Sequence, residues 1–474
     1  MWAVLVIAIM LSFLIGIRAA RGNLIYPNGE AYDALRAAES INTNLFFSED
    51  LLQNRSYSPN PFDYVVAASL RNFGAYALFA LPIALGILTA LLFYRMLVLL
   101  GFPRKNAGLC TMLLAATPAF LSSFSTLSRL GFAVLLSLLV MALYFEPAYW
   151  DFPWKISGKI YFGFAIAALC LLSITSLLAF LITIVLMMVL STLQGRGMKS
   201  MLFASSIPFL FLLPVFTYTD YLSRSILDAG FHAFNLRESF SVLGASLGLD
   251  FFVFLLFLTG FVILWSFIKE LRIYHLLSLL FIVLSLFNPL FRIYASMMMT
   301  VYCVVAIKHL YYRKWELELI KSGTVMLIAC AVLFSLLSET TASASREPAQ
   351  EATLALQALA SMPPGTVFTQ PSYGYTIEFY AAKPVLLDDS SPRYPGYYEK
   401  LYYYNALLNA SRIADAETAI QKLGIKYFLI TPMMKEDIWY DRDEKLLLLL
   451  KNSNKFENRF DSGFEIWEYV GEQP

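Results

Sequence analysis

Cysteine and histidine are scarce in this sequence, and charge is thin. The 474 residues hold four cysteines and three histidines. Cys110, Cys170, Cys303 and Cys330 all fall inside apolar runs, which argues against a disulfide framework and predicts free thiols in helices. His232, His275 and His309 are scattered, so no His/Cys zinc cluster is expected. Only 15% of residues are charged and the net charge is +1, a balance that argues against a nucleic-acid partner. The stretch after Glu339 has no glycine-rich phosphate loop, so nucleotide binding there has little support. No Asp or Glu stands between Asp63 and Glu146.

Apolar residues are what the chain has in plenty. They make up 58% of it, aromatics 16%, and the mean hydropathy is +0.62. Such values mark a polytopic α-helical membrane protein, with many aromatics at the interfaces. Met1 to about Ile17 is the first run; it lacks a basic n-region and reads as an uncleaved helix. Apolar segments follow near 74–100, 107–126, 130–148, 160–173, 176–193, 201–218, 250–268, 273–289, 292–309 and 319–337. About eleven transmembrane helices are expected, with a short hairpin near Ser173–Ser176.

Basic residues gather in alternate connections: Arg104-Lys105, Lys155 and Lys159, Arg196 and Lys199, Lys269 and Arg272, and Lys308 with Arg313-Lys314. This predicts a cytoplasmic N-terminus, with the 19–72 loop, the 219–249 loop and the C-terminus outside, in a multi-pass plasma-membrane protein. After about Glu339 the composition turns globular. Strands are expected at Thr366–Thr369, Pro384–Leu387, Tyr427–Thr431 and Glu465–Val470, and helices at 349–361, 397–408, 414–423 and 442–452. The expected division is a transmembrane domain over 1–338, carrying the large loop 19–72, and an external soluble α/β domain over 339–474 with a mainly parallel sheet.

Within that loop, Gly29-Glu30-Ala31-Tyr32-Asp33-Ala34-Leu35-Arg36 can open a helix capped by Asn28. Glu30 and Asp33 are spaced i,i+3, as are Asp33 and Arg36. Two carboxylates, an aromatic and an Arg at an interface suit a divalent cation together with a phosphate group; solvated charges on a capped helix would look the same. Two glycosylation sequons, Asn54-Arg55-Ser56 and Asn409-Ala410-Ser411, lie on the expected external side.

Three stretches resemble the C-type membrane glycosyltransferases, most of all the catalytic subunit of archaeal oligosaccharyltransferase. The first is Glu30–Arg36, where the family has an Asp, aromatics and an Arg six positions later. The second is Pro363–Thr369 followed by Gln370-Pro371-Ser372-Tyr373-Gly374-Tyr375, against the family's strand and Trp-Trp-Asp-Tyr-Gly. The likeness continues through Ala382–Asp389 and Ala419–Tyr427. The third is Phe291-Arg292 at a helix end.

The resemblance implies an enzyme that takes a sugar or glycan from a polyprenyl- or dolichyl-phosphate donor, drawn from membrane lipid, and passes it to a protein or glycan acceptor, with possible partner subunits. It implies Glu30 and Asp33 as catalytic carboxylates, and Arg292, Arg129 and Arg36 as donor-phosphate contacts. Ser372, Tyr373 and Gly374 would face the acceptor. Glu30, Asp33 and Glu238 would hold a divalent cation such as Mg or Mn. The family's second acidic motif corresponds to Ser125-Thr126-Leu127-Ser128-Arg129-Leu130-Gly131, which has no carboxylate. That absence shifts the expectation towards metal-independent transfer. It also keeps open a non-catalytic relative that binds lipid-linked glycan or partner subunits. A transporter is a weaker reading, since no internal repeat is evident.

Overall fold

The computed structural model describes residues 2–20, 26, 29–45, 49–50, 52–53, 55–56, 60–146, 156–193, 251–267, 272–345, 350–394, 396–440 and 442–471. In chain order the elements begin with helix α1 (Trp2–Ala20), α2 (Gly29–Thr43), the strand pair β1 (Glu49–Asp50) and β2 (Arg55–Ser56), and α3 (Pro61–Phe73). Then come α4 (Ala77–Leu99), α5 (Arg104–Ala115), α6 (Pro118–Phe124), α7 (Arg129–Phe145), α8 (Ile156–Thr175), α9 (Leu177–Leu193), α10 (Phe251–Phe267), α11 (Arg272–Ser285), α12 (Pro289–Tyr312) and α13 (Glu318–Ser345). The last part holds α14 (Gln350–Ser361), β3 (Thr366–Phe368), α15 (Gly374–Ala381), α16 (Tyr397–Leu408), α17 (Ile413–Leu423), β4 (Ile425–Ile430), α18 (Pro432–Trp439), α19 (Lys445–Asn452), β5 (Phe456–Asp461) and β6 (Glu465–Tyr469).

The chain forms two compact units, Met1–Ile15 with Ala75–Ala344, and Gly16–Gly74 with Ser345–Pro474. The expected cut lies near 338; by contacts within the fold, residues 16–74 group with 345–474.

The first unit is helical. Every expected apolar segment in the described residues is helix, and 201–218 lies outside them. Among the described residues three helical stretches are long and apolar enough to cross a membrane: Pro61–Leu99 (α3 with α4), Pro289–Tyr312 and Glu318–Ser338. The expected span 107–126 is a bent pair, α5 and α6, turning by 69°. Pro118 has no N–H to continue the ladder, and the Thr117 hydroxyl caps the new helix by accepting from Phe120 N. The expected break near 173–176 falls at Ser176, whose hydroxyl accepts from Ala179 N at 3.2 Å. Gly260 of α10 meets α12 so closely that a Cβ there would stand 1.9 Å from the Tyr302 carbonyl oxygen. A small residue is what lets these two backbones approach.

In the second unit the sheet order is β3-β4-β6-β5. Only β3 and β4 pair in parallel; β4–β6 and β5–β6 are antiparallel. The mainly parallel sheet is therefore corrected to a mixed one. The expected strand at Pro384–Leu387 contributes a single parallel bridge, Val367 with Val385. Strand β4 is buried along nearly its whole length, as a central strand must be. Phe368, Leu407, Ile420, Phe428, Trp439 and Leu450 belong to the core around it.

Candidate active site

In the second unit α2 and α15 pack against each other. An added Cβ on Gly29 would stand 3.1 Å from the Ser372 carbonyl oxygen, 3.4 Å from the Tyr375 ring and 3.7 Å from Asp389. Glu30 therefore follows directly on a point of contact with the Ser372–Tyr375 segment. The first two resembling stretches, more than 300 residues apart, meet here. Glu30 is half-buried and Asp33 is buried. Asn28 lies outside the described residues.

Farther along α2 the charges are committed to the protein itself. Arg36 Nη1 donates to Glu378 of α15, and its Nη2 donates to Asp50 of β1. The Glu378 carboxylate also accepts from Gln53 Nε2, which reaches the Val385 carbonyl at 3.1 Å as well. Asp50 further accepts from Leu52 N and Gln53 N, turning the chain between β1 and β2. Arg55 Nε donates to Asp50 Oδ2 at 3.2 Å, and its Nη1 forms an ion pair with Asp388 Oδ2 at 2.7 Å. The same guanidinium lies 4.5 Å above the Tyr394 ring. Asp388 is fixed in turn, its Oδ1 accepting from Ser390 N, Ser390 Oγ and Ser391 Oγ.

Three carboxylates thus face two guanidinium groups in a buried cluster. Burial raises the Glu378 carboxyl to about 8, and Arg36 opposes the rise only in part. A proton on Glu378 would even the charge count. Burial disfavours the charge on Arg36, but Glu378 and Asp50 outweigh it and raise its pKa.

One turn earlier on α2, Tyr32 donates from its hydroxyl to the Tyr26 carbonyl at 3.1 Å. Its ring packs on Phe379 and Tyr380 at 5.6 and 5.4 Å. Burial pushes both tyrosine hydroxyls, Tyr26 and Tyr32, well above their usual range.

Arg36, expected at the donor phosphate, is held by Glu378 and Asp50. Tyr373 is buried with its ring 5.9 Å from Phe464. Gly374 is sealed against the 387–388 backbone: a Cβ there would come within 2.7 Å of Asp388 Cβ and 2.9 Å of its Cα. Of the three residues expected to face an acceptor, Ser372 is the exposed one. Asp50, Gln53, Arg55 and Glu378 had no assigned role, because no spacing along the chain pairs residue 36 with residue 378.

The described donor set does not fit a divalent cation. Among the described residues no three His, Cys, Asp or Glu side chains are grouped to hold one. Glu30 and Asp33 supply two carboxylates, and Glu238 lies outside the described residues. The Asp50, Glu378 and Asp388 carboxylates are taken up by arginines. No chemical step is therefore routed through a metal.

In the first unit, Arg292 starts the fourth residue of α12. Its Nε donates to the Ser285 carbonyl at 3.2 Å, closing the C-terminal end of α11. Asn288 caps α12 by accepting from Leu290 N at 2.8 Å. Arg129 begins α7, where the Ser128 hydroxyl accepts from Gly131 N.

The fold is that of the C-type membrane glycosyltransferases. The oligosaccharyltransferase AglB of Archaeoglobus fulgidus, in complex with Zn and sulfate, matches with a TM-score of 0.62 and 15% identity, over 96% of this chain and 71% of that one. The same enzyme tethered with an acceptor peptide containing the NVT sequon matches at 0.61 and 13%, over 96% and 72%. ArnT from Cupriavidus metallidurans, bound to undecaprenyl phosphate, matches at 0.60 and 12%, over 100% and 98%. No family model and no curated protein sequence matches.

Proposed function

We propose that this protein is a membrane glycosyltransferase that moves a sugar or glycan from a polyprenyl-phosphate-linked donor to an acceptor on the external face. The observation that carries the reading is the packing of the acidic start of α2 against the Ser372–Tyr375 segment. The likeness to enzymes whose structures hold undecaprenyl phosphate or an acceptor peptide supports it.

In this reading the bond from the sugar C1 to the donor phosphate oxygen breaks as a bond from C1 to the acceptor forms. Glu30 takes the acceptor's proton, and Asp33 adds negative field beside it. The lipid phosphate leaves with the electron pair, and Arg292 and Arg129 are the donor-phosphate contacts that the resemblance implies. Arg36 acts by fixing α2, and Ser372 borders the acceptor. Inversion at C1 follows from direct displacement. The protein lies in the plasma membrane with its C-terminal residues outside.

Purified protein incubated with a labelled polyprenyl-linked donor pool tests this. Wild type transfers label, and transfer survives EDTA. Glu30→Gln lowers the rate by about 100-fold or more with abundance unchanged. Full activity in that variant removes Glu30 from the mechanism.

A second reading is a non-catalytic relative that binds lipid-linked glycan. The lack of a carboxylate in Ser125–Gly131, with Gln370-Pro371-Ser372 where the family has Trp-Trp-Asp, favours it. Donor retained without transfer from any pool decides for it.

A further inference from the structure

A cavity of about 420 Å³ opens in the first unit, lined among others by Phe102, Ile263, Val301, Val304 and Val305. Lys308, His309 and Arg313 stand in its wall with Asn106. The apolar side chains come from α10, α12 and the connection before α5. Lys308 and His309 stand near the C-terminal end of α12, and Arg313 is its C-cap.

Three features make this a site and not a fold irregularity. First, among the described residues none of Lys308, His309 and Arg313 has a carboxylate partner, whereas Arg36, Arg55 and Arg95 all do. Arg313 lies over the Trp315 ring, 5.6 Å away. Second, α5 begins beside the cavity behind Pro103, without a capping side chain, and its first turn carries Arg104 and Lys105. The N–H groups of an uncapped helix start add to a positive field. Third, α12 is long and apolar enough to cross a membrane, and the cavity lies at its end. Arg292 and Lys308 are 16 positions apart, roughly 24 Å at 1.5 Å per residue. The cavity is thus separate from the helix end that carries Arg292.

We propose that this cavity binds the headgroup of an anionic phospholipid. The phosphate is held by Lys308 and Arg313, and the start of the acyl chains lies on Val301, Val304 and Val305. The occupant is an amphiphile and not a soluble phosphate, because cationic and apolar walls share one opening at the end of a membrane-length helix. Tyr312 and Phe102 border the same opening, where interfacial aromatics belong. The site is independent of the proposed transfer reaction.

Short-chain phosphatidylglycerol, short-chain phosphatidylcholine and inorganic phosphate are titrated separately against the full-length protein in neutral detergent, with binding read by native mass spectrometry and by the unfolding temperature. Phosphatidylglycerol is expected to bind and to stabilise. Lys308→Gln with Arg313→Gln weakens that binding by about tenfold or more, as expected for losing two cationic contacts. Val305→Trp, which fills the apolar wall and keeps the charges, weakens it as well. Equal binding of phosphatidylglycerol to wild type and the double variant overturns the proposal. So does equal binding of phosphatidylcholine, or a full effect from inorganic phosphate alone, which would make this a site for a free anion.

Discussion

Arg36 and Glu378 stand 342 positions apart and form an ion pair whose carboxylate is buried. The pair joins the helix that carries Glu30 to the helix that follows Ser372, so any chemistry at Glu30 inherits its geometry from this contact.

Arg36→Met removes the cation and leaves Glu378 and Asp50 facing each other. Breaking a buried pair from one side costs about 3 kcal/mol or more. The unfolding temperature should fall by several degrees, and protease should cut sooner within 29–56. Glu378→Gln keeps an acceptor for Arg36 and should be milder. An Arg36→Met protein as stable as wild type would show that the pair contributes nothing net.

The Glu378 carboxyl, raised by burial from 4.5 to about 8, gives a pH dependence with a fixed sign. Its folded-state value lies above the unfolded one, so the folded chain binds more protons between them. The contribution is fully present below pH 4.5 and is lost as pH rises through about 8. Thermal unfolding measured across this window should show wild type losing stability relative to Glu378→Gln. Parallel curves for the two proteins would refute the assignment.

Gly374→Ala forces a methyl group into the Asp388 backbone, 2.9 Å from its Cα. Backbone cannot swing aside as a side chain can, so the cost is about 1–3 kcal/mol. Activity should drop along with stability, because the Asp388–Arg55 pair moves with the displaced loop. An unchanged melting curve would contradict the close packing.

In the first unit Gly260→Ala should be worse, since the Tyr302 carbonyl oxygen lies 1.9 Å from the new Cβ. Gly163→Ala and Gly323→Ala are the controls: both meet nothing within 4 Å, and both should leave folding intact. The yield of folded protein in detergent separates them. Equal yields would mean that α10 and α12 do not need the small residue.

The sequence was most readable where one physical signal dominated. Long apolar runs located the helices of the first unit, and helix α16 was found at its observed bounds. Strand β5, Phe456–Asp461, was missed because it is an edge strand with mostly exposed charged and polar residues, so it carries little apolar alternation. Helix α15 is legible in the sequence only at its start, Tyr373-Gly374-Tyr375, for the opposite reason. Gly374 to Glu378 are all buried, so it shows no polar face. Glu30 and Asp33 could be singled out from local spacing. The cluster around Asp50 and Glu378 could not, because its members come from separate elements that only the fold brings together.

The division of the second unit into 16–74 and 345–474 has a consequence for the order of synthesis. Arg36 leaves the ribosome long before Glu378 exists. At about 5–20 residues per second the 342 positions between them take roughly 17–70 s. Through that interval α2 and its acidic first turn have no α15 to rest on, while the intervening helices are made. The loop must therefore wait, and the second unit can close only after residues 345–474 have emerged.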